Sequence, residues 1–409
     1  MNILFVTHYY EPDSGAAANR LTRLAKQLHK RGHQVTVLTT MPHYPTGVIP
    51  DAYKGKFVVV ENRDGIQVIQ VWLYTSTSPK VSRRLISQLS FMITGTLRGL
   101  FIKRHDVMFV ENQPIFTALA AWIISRIKRM PYLANISDYW PEYLVVAGVT
   151  SETSLTYRIF KGLANRTQRD AAAIVTLLDD LLVKIENRLG KVSNGKVIYN
   201  SVDLNQFSPQ VQDDEFRSQY NLGDARLITF LGVLGNHIDL DTMLDVARHF
   251  NNTPNLKFLF VGTGQQKDKL HTALQQDNMS HCQWIEWVDY SKVPQFWTAS
   301  YLTYWALLDN PLDQMRFQAK LYEAMASGTP CVIAVNGLMH DVLTKTQTGI
   351  TVPPYDTEGM IAAIEKLLND DLYYKTVCAN ARQYAIDNFD LERNITEYEE
   401  TLKQIAETS

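Results

Sequence analysis

Lys320 and Glu323 stand three residues apart in the stretch Arg316–Ile333, RFQAKLYEAMASGTPCVI. On a helix that spacing puts both on one face. Leu321, Ala324 and Met325 supply the opposite, apolar face. Ser327-Gly328 ends the helix, Pro330 blocks its continuation, and Cys331–Ala334 reads as a buried strand. A cation and a carboxylate in the first turns of a helix can serve two parts of one ligand. The cation and the helix amides suit a phosphate, and the carboxylate suits a ribose diol. The simpler reading is a surface ion pair on an amphipathic helix, and spacing alone favours it. Arg316 stands at the head of the stretch.

Other candidates sit where strands give way to turns. Gly232-Val233-Leu234-Gly235 and Gly262-Thr263-Gly264 each follow an apolar run, and Gly15-Ala16 lies in the loop after the first strand. At Gly15-Ala16, a small-residue loop at a helix N-terminus lets the backbone approach an anion closely, or simply lets helix and strand pack tightly. Gly15 followed by alanines is not the three-glycine dinucleotide fingerprint. Asn112, Gln113, Asp138 and Glu142 fall beyond the carboxyl ends of two further predicted strands, where open α/β sheets bind ligands. Asp138 also fits a plain helix cap. Asp239-x-Asp241 has the look of a metal-binding pair, but it opens a helix and reads better as capping. Asp179-Asp180 reads as a solvated helix start.

The elements that must position these residues repeat one grammar twice. Asn2–Thr7, a helix from Ala18 to Gly32, and Gln34–Thr39 form a βαβ unit. Phe57–Glu61 and Ile66–Trp72 flank the turn Arg63-Asp64-Gly65, and Asp106–Glu111, Tyr132–Ile136, Ala172–Thr176 and Lys196–Tyr199 complete a first sheet. After the turn-rich Asn200–Pro209, Leu227–Leu231, Leu256–Val261, Gln283–Val288, Tyr301–Trp305, Cys331–Ala334 and Gly349–Val352 form a second. The fold class is α/β, with two doubly wound domains. Residues 1–203 form the first, 204–385 the second, and 386–409 a helix crossing back to the first. The Pro- and aromatic-rich run Met41–Lys56 is too long for a simple connection and suits a site-lining loop.

At 409 residues with 45% apolar and 20% charged residues, the chain is globular rather than disordered. Its net charge of −2 is unevenly spread. Residues 1–205 hold 25 Lys and Arg against 15 Asp and Glu, and the remainder 15 against 27. A basic first half suits an anionic surface, nucleic acid or membrane. Lys80–His105 carries an apolar core between Lys80, Arg83, Arg84 and Arg98, Lys103, Arg104. It is too short and too interrupted to span a bilayer, and suits an in-plane helix or an ordinary sheet cover. Cys282, Cys331 and Cys378 have no paired or metal-type spacing and fit a reducing compartment. The opening MNILFV runs straight into a strand, with no signal peptide pattern.

Taken in order, HYYEPDSGAA, KRGHQVTVLT, MPHYPTG, DYWPE, NSVDLNQF, FVGTG, WVDYSKVPQFWTAS and KLYEAMASGTPCVIA resemble the motifs of family 4 glycosyltransferases of the GT-B fold. MPHYPTG and DYWPE are similar to the bacterial surface-polysaccharide branch, including fucosamine and amino-sugar transferases. The resemblance covers nearly the whole chain. It implies two Rossmann-like domains facing a cleft and a retaining transfer from a nucleoside-diphosphate sugar, with UDP the expected nucleotide. The acceptor would be a polyprenyl-diphosphate-linked or other glycan at the cytoplasmic face of a membrane, with no required cofactor, no metal and no nucleic acid partner.

By the same resemblance Glu323 would hold the ribose hydroxyls, and Lys320, next to Leu321, would lie at the diphosphate. Gly232, Gly235, Gly262 and Gly264 would line the nucleotide, Val288 would meet the base through its backbone, and Gly15 and Ala16 would approach the diphosphate from the first domain. Asp138, Lys320 and Arg316 would serve catalysis. Two positions depart from the family pattern. Met315 stands where the first Glu of Glu-x7-Glu is usual, and GVLGNHIDLD lacks the usual Arg and Lys. Two other classes fit the same architecture: a non-catalytic nucleotide-sugar-binding subunit and a sugar-nucleotide epimerase.

Overall fold

The computed structural model describes all residues except Ser14, Pro79, Ala147, Lys191, Ser193, 212–214, 277–278 and Ser409, and it leaves the Ala16 side chain undescribed. The chain divides into two compact units, one of Met1–Asn200 with Glu392–Ser409, the other of Ser201–Leu391. From sequence the breaks are placed at 203/204 and 385/386.

In the first unit the strands are β1 Asn2–Val6, β2 Gln34–Thr40, β3 Val58–Arg63, β4 Ile66–Val71, β5 Val107–Glu111, β6 Tyr132–Ile136, β7 Ala173–Thr176 and β8 Gly195–Val197. The helices are α1 Ala16–Lys30, α2 Val81–Leu100, α3 Ile115–Lys128, α4 Glu142–Val146, α5 Leu155–Arg169 and α6 Asp179–Leu189. The strand order is β3-β4-β2-β1-β5-β6-β7-β8, parallel except for β3, which runs antiparallel to β4. The connection at Asp64-Gly65 is tight enough only for a hairpin, and both residues take positive φ.

Continuous apolar runs form the central strands because both faces are covered. Leu4, Val6, Met108 and Val110 face Phe91 of α2 and Ile124 of α3. On the other face Phe5 stacks on Phe109 at 4.5 Å, and Phe109 meets Tyr398 at 5.8 Å. Tyr398 belongs to the last helix, which is thereby part of this unit. Its hydroxyl donates to Asn135 Oδ1 at 2.7 Å, and Arg31, which follows α1, bridges Glu392 and Glu399 at 2.7 and 3.0 Å.

The second unit holds α7 Phe216–Gln219, β9 Arg226–Leu231, α8 Leu240–His249, β10 Leu256–Val261, α9 Lys267–Gln276, β11 Cys282–Ile285 and α10 Val293–Ala299. It continues with β12 Leu302–Ala306, α11 Pro311–Gln314, α12 Ala319–Ala326, β13 Cys331–Ala334, α13 Leu338–Thr346, β14 Ile350–Val352, α14 Thr357–Asn369 and α15 Asp371–Asn388. The last helix is α16, Leu391–Glu407. All six strands are parallel, in the order β11-β10-β9-β12-β13-β14. Strand order reverses between β9 and β12, so the turns leaving these two strands flank the switch point. The core is aromatic, with Phe258, Phe260, Trp297, Tyr304 and Trp305 each fully buried.

Two sequence expectations shift. The strand placed at Gln283–Val288 ends at Ile285, because its partner β10 ends at Val261 and turns away at Gly262. Val288 therefore lies in the loop after β11, packed against the cluster of Phe216, Leu222 and Phe296. The helix placed from Ala18 begins at Ala16, since the alanine run extends it upstream.

Candidate functional site

Lys320 and Glu323 do share a face of α12, yet they do not pair with each other. Lys320 Nζ sits 4.4 Å from the Phe230 ring centroid and 4.2 Å from that of Trp305. Phe230 lies on β9 and Trp305 on β12, so the ammonium is clamped at the switch point. The ring faces attract the cation. Burial acts the other way and lowers its pKa to about 7. Among the described residues no carboxylate lies within ion-pair distance of it. A half-buried cation without a counter-charge is a site that an anion would complete.

Glu323 is held from two sides. Tyr290 Oη donates to its Oε1 at 2.8 Å and Trp297 Nε1 to its Oε2 at 3.3 Å. Tyr290 lies in the loop that carries Val288, and Trp297 on α10. These donors fix the carboxylate's direction.

The glycine turns build the floor. A Cβ on Gly262 would stand 1.9 Å from the Gly232 carbonyl oxygen, and one on Gly264 would stand 2.4 Å from that of Leu234. Gly262 has φ +132°, and Gly264 φ +159°. The turns leaving β9 and β10 thus run backbone to backbone, joined by Gly232 N–H to Val261 O at 2.9 Å and Leu234 N–H to Thr263 O at 3.0 Å. Gly232 borders the ammonium: a Cβ on it would lie 3.7 Å from Lys320 Nζ. Gly235 lies under the His237 ring, whose pKa is lowered by burial despite the Asp313 carboxylate. Arg316 stands 3.9 Å from Asp313, and Asp313 is buried. Leu321 is fully buried and anchors α12 in the core. Met315 closes α11.

The structure thus gathers Gly232, Gly235, Gly262, Gly264, Lys320, Glu323, Val288 and Arg316 around the strand ends of the second unit. Chemically, the arrangement offers a desolvated cation, an oriented carboxylate and a tight backbone floor. Asp239 caps α8, its Oδ2 accepting from Thr242 Oγ1 at 2.6 Å. Phe230, Trp305, Tyr290 and Trp297 were not singled out by sequence reasoning. Tyr290 and Trp297 lie within WVDYSKVPQFWTAS, but only the folded chain shows that they converge on Glu323.

Gly15, Ala16 and Asp138 belong to the first unit. Gly15 (φ +151°) caps α1, and a Cβ there would stand 2.8 Å from the Tyr44 ring. Ala16 opens α1, with its side chain outside the described residues. Asp138 follows β6, where the Gln113 side-chain oxygen accepts the amides of Ser137 and Asp138 at 3.0 Å each. Asp138 does not cap α4, which begins four residues later.

A polar cluster at the ends of β1 and β2 was also not expected. Asp13 Oδ1 accepts the amides of His43 and Tyr44 at 2.8 and 2.9 Å. The His43 ring lies 5.9 Å from that of Tyr9 and 5.5 Å from that of His8. His8 is buried, and burial together with His43 holds its pKa well below the ordinary value.

Two doubly wound α/β units, each with a strand-order reversal, match the architecture of GT-B glycosyltransferases. Residues 15–201 match the family model "Glycosyl transferase 4-like domain" and residues 212–386 match "Glycosyl transferases group 1". Together the two matches take in most of the chain, which is therefore a glycosyltransferase built of these two domains.

Among proteins it is similar to, WcaI of Escherichia coli K12 is a glycosyl transferase assigned to colanic acid biosynthesis. It is 22% identical over 418 residues, covering 97% of this chain and 98% of the relative. A GDP-mannose-dependent alpha-mannosyltransferase of Mycolicibacterium smegmatis is 21% identical over 371 residues, covering 89% and 87%. The crystal structure of Anabaena HepE in complex with UDP superposes with a TM-score of 0.71 at 18% identity, covering 99% of this chain and 100% of that one.

Proposed function

We propose that this glycosyltransferase moves a sugar, with retention of anomeric configuration, from a UDP-sugar to a lipid-linked or glycan acceptor in bacterial surface-polysaccharide synthesis, at the inner face of the membrane. The observation that carries the donor assignment is the Lys320 ammonium, clamped between two rings at the switch point with no carboxylate among the described residues beside it. A nucleoside diphosphate supplies the missing negative charge. Glu323, oriented by Tyr290 and Trp297, takes the ribose hydroxyls. Gly232, Gly235, Gly262 and Gly264 let the backbone meet the phosphates and nucleoside, Leu321 sets α12 in place, and the loop at Val288 meets the base. Arg316 adds charge at the same end. In the first unit Gly15 and Ala16 offer amides at the α1 N-terminus, and Asp138 orients the acceptor.

The chemistry follows from charge. As the C1–O bond to the diphosphate breaks, the electron pair goes to the leaving phosphate and positive charge builds on the sugar ring. Lys320 stabilises the developing anion. The acceptor oxygen bonds to C1 from the same side, and its proton passes to a phosphate oxygen of the departing diphosphate. Uridine is favoured over guanosine by the UDP complex of HepE, against the guanosine donor named for the mycobacterial relative.

Calorimetric titration with UDP, GDP and their sugars tests the reading. UDP should bind the wild-type chain and fail to bind folded Lys320→Ala and Glu323→Ala proteins. Wild-type affinity in both variants would refute the site. Turnover with an acceptor panel separates a transferase from a binding subunit, and product analysis on donor alone separates it from an epimerase.

A further inference from the structure

The loop from Met41 to Lys56, too long for a simple connection, borders two places in the first unit. Its opening lines the end of β1. Asp13 Oδ1 accepts the amides of His43 and Tyr44, and the Tyr44 ring is what a Cβ on Gly15 would meet. Its later part turns over the end of β4. Gly47 (φ +72°) is pressed on the chain there: a Cβ on it would stand 2.6 Å from the Ser76 carbonyl oxygen. Between this part of the loop and residues 72–77 lies a cavity of about 440 Å³. That volume is ordinary for a small-molecule site.

Its lining says what would fill it. Trp72 and Tyr53 supply ring surface, and both are held in place. The Trp72 backbone donates to Phe57 O at 2.9 Å and accepts from Thr94 Oγ1 at 2.7 Å. Tyr53 packs on the core of the sheet, and its Oη is spent on Arg63 and Glu61 at 2.9 and 3.4 Å. Thr75 Oγ1, Thr77 Oγ1 and Trp72 Nε1 have no hydrogen-bond partner among the described residues. Lys54 is the one charged residue among the described lining, and Asp51 answers its charge at 2.5 Å. An anion therefore finds no free cation here, and a purely apolar ligand would make no use of the hydroxyls. A pyranose matches both halves of the lining. Its C–H face lies against the rings, and its hydroxyls meet the threonines and the indole N–H.

The cavity's place in the sheet gives the sugar a role. β4 pairs with β2, and β2 with β1. At about 4.8 Å per strand, the end of β4 lies roughly 10 Å along the sheet edge from the end of β1. Both are carboxyl ends, where open α/β sheets bind ligands. We propose that the cavity is a saccharide subsite holding a sugar of the acceptor glycan away from the reacting hydroxyl, so that the acceptor is an oligosaccharide, lipid-linked or free. The acceptor role rests on the transferase reading, whereas the saccharide site stands on its lining alone.

The test is saturation-transfer NMR of the full chain with the methyl glycosides of glucose, galactose, mannose, fucose and N-acetylglucosamine, without nucleotide. At least one should give signal on its ring protons, and titration of that glycoside then gives its Kd. Thr75→Val/Thr77→Val keeps side-chain shape, so it should keep wild-type melting. It should weaken the glycoside about ten-fold, at about three-fold for each hydrogen bond lost. Trp72→Ala should abolish the signal, with melting and UDP titration as controls for folding. In turnover the threonine variant should raise KM for oligosaccharide acceptors and leave monosaccharide acceptors unchanged. No glycoside signal from wild-type protein, or wild-type affinity in the folded threonine variant, would overturn the subsite. An equal KM change for both acceptor lengths would overturn its acceptor role. Wild-type protein that binds the glycoside but no UDP would instead refute the donor-site reading.

Discussion

Replacing Lys320 by methionine should stabilise the second unit while removing its affinity for UDP. Lys320 has a pKa of about 7 where an ordinary lysine has 10.5. Keeping such a group charged at pH 7 costs about 4 kcal/mol by linkage. Partial solvent access and the attraction of the Phe230 and Trp305 rings offset much of this, leaving roughly 1–2 kcal/mol. Methionine keeps much of the chain length and makes its own sulfur contacts with the rings. For a unit of this size, that gain corresponds to about 2–8 °C in melting temperature.

The pH profile carries the stronger signature. The folded pKa lies below the unfolded one, so between about pH 7 and pH 10.5 the unfolded chain binds more protons, and wild-type stability rises with pH across that window. The methionine protein lacks this slope, so its advantage is largest below pH 7 and vanishes near pH 10.5. Scanning calorimetry at pH 6 to 10, with UDP titrations alongside, reads both effects. A melting temperature below wild type at pH 6–7, or UDP affinity within three-fold of wild type, would refute the reasoning.

Other expectations follow from the same geometry. UDP affinity of the wild-type protein should fall as pH rises above about 7, because the diphosphate selects the charged ammonium; a flat calorimetric profile from pH 6 to 9 would contradict this. Tyr290→Phe removes one donor from Glu323 and should weaken UDP binding by about ten-fold with little loss of stability, as one hydrogen bond to a charged group is worth about 1.5–3 kcal/mol at most. Gly262→Ala forces a Cβ into the Gly232 carbonyl and should cost about 3 kcal/mol and abolish binding, as read by denaturant unfolding and titration. Glu399→Ala should cost about 1–3 kcal/mol and raise hydrogen exchange along α16. Burial raises the Glu399 pKa, but Lys403, His33 and Arg31 together bring it down to about 2. Its contribution is present above the ordinary carboxylate pKa and is lost as pH falls toward 2.

Much of the fold is readable in the chain because its strands are short continuous apolar runs buried on both faces. NILFV, VMFVE and CVIA leave few other options, and Arg63-Asp64-Gly65 dictates its hairpin. Ends are read less well. Nothing local in Gln283–Val288 says that the pairing partner leaves at Gly262, so sequence extends the strand three residues too far. The division after Leu391 rests on Arg31, His33 and Asn135, more than 250 residues away in sequence from the α16 side chains they hold.

The candidate site divides the same way. Sequence placed Lys320 and Glu323 on one helical face, because the helix period is a local property. It could not say that they ignore each other, and spacing favoured an ion pair. That outcome depends on Phe230, Trp305, Tyr290 and Trp297, which come from other strands, a loop and a helix and meet α12 only when the sheet closes. The chain by itself determined the two α/β domains and the residues at its turns. The tertiary structure alone decided that Lys320 would be desolvated between two rings, because desolvation is set by every atom around a charge and by no neighbour in sequence.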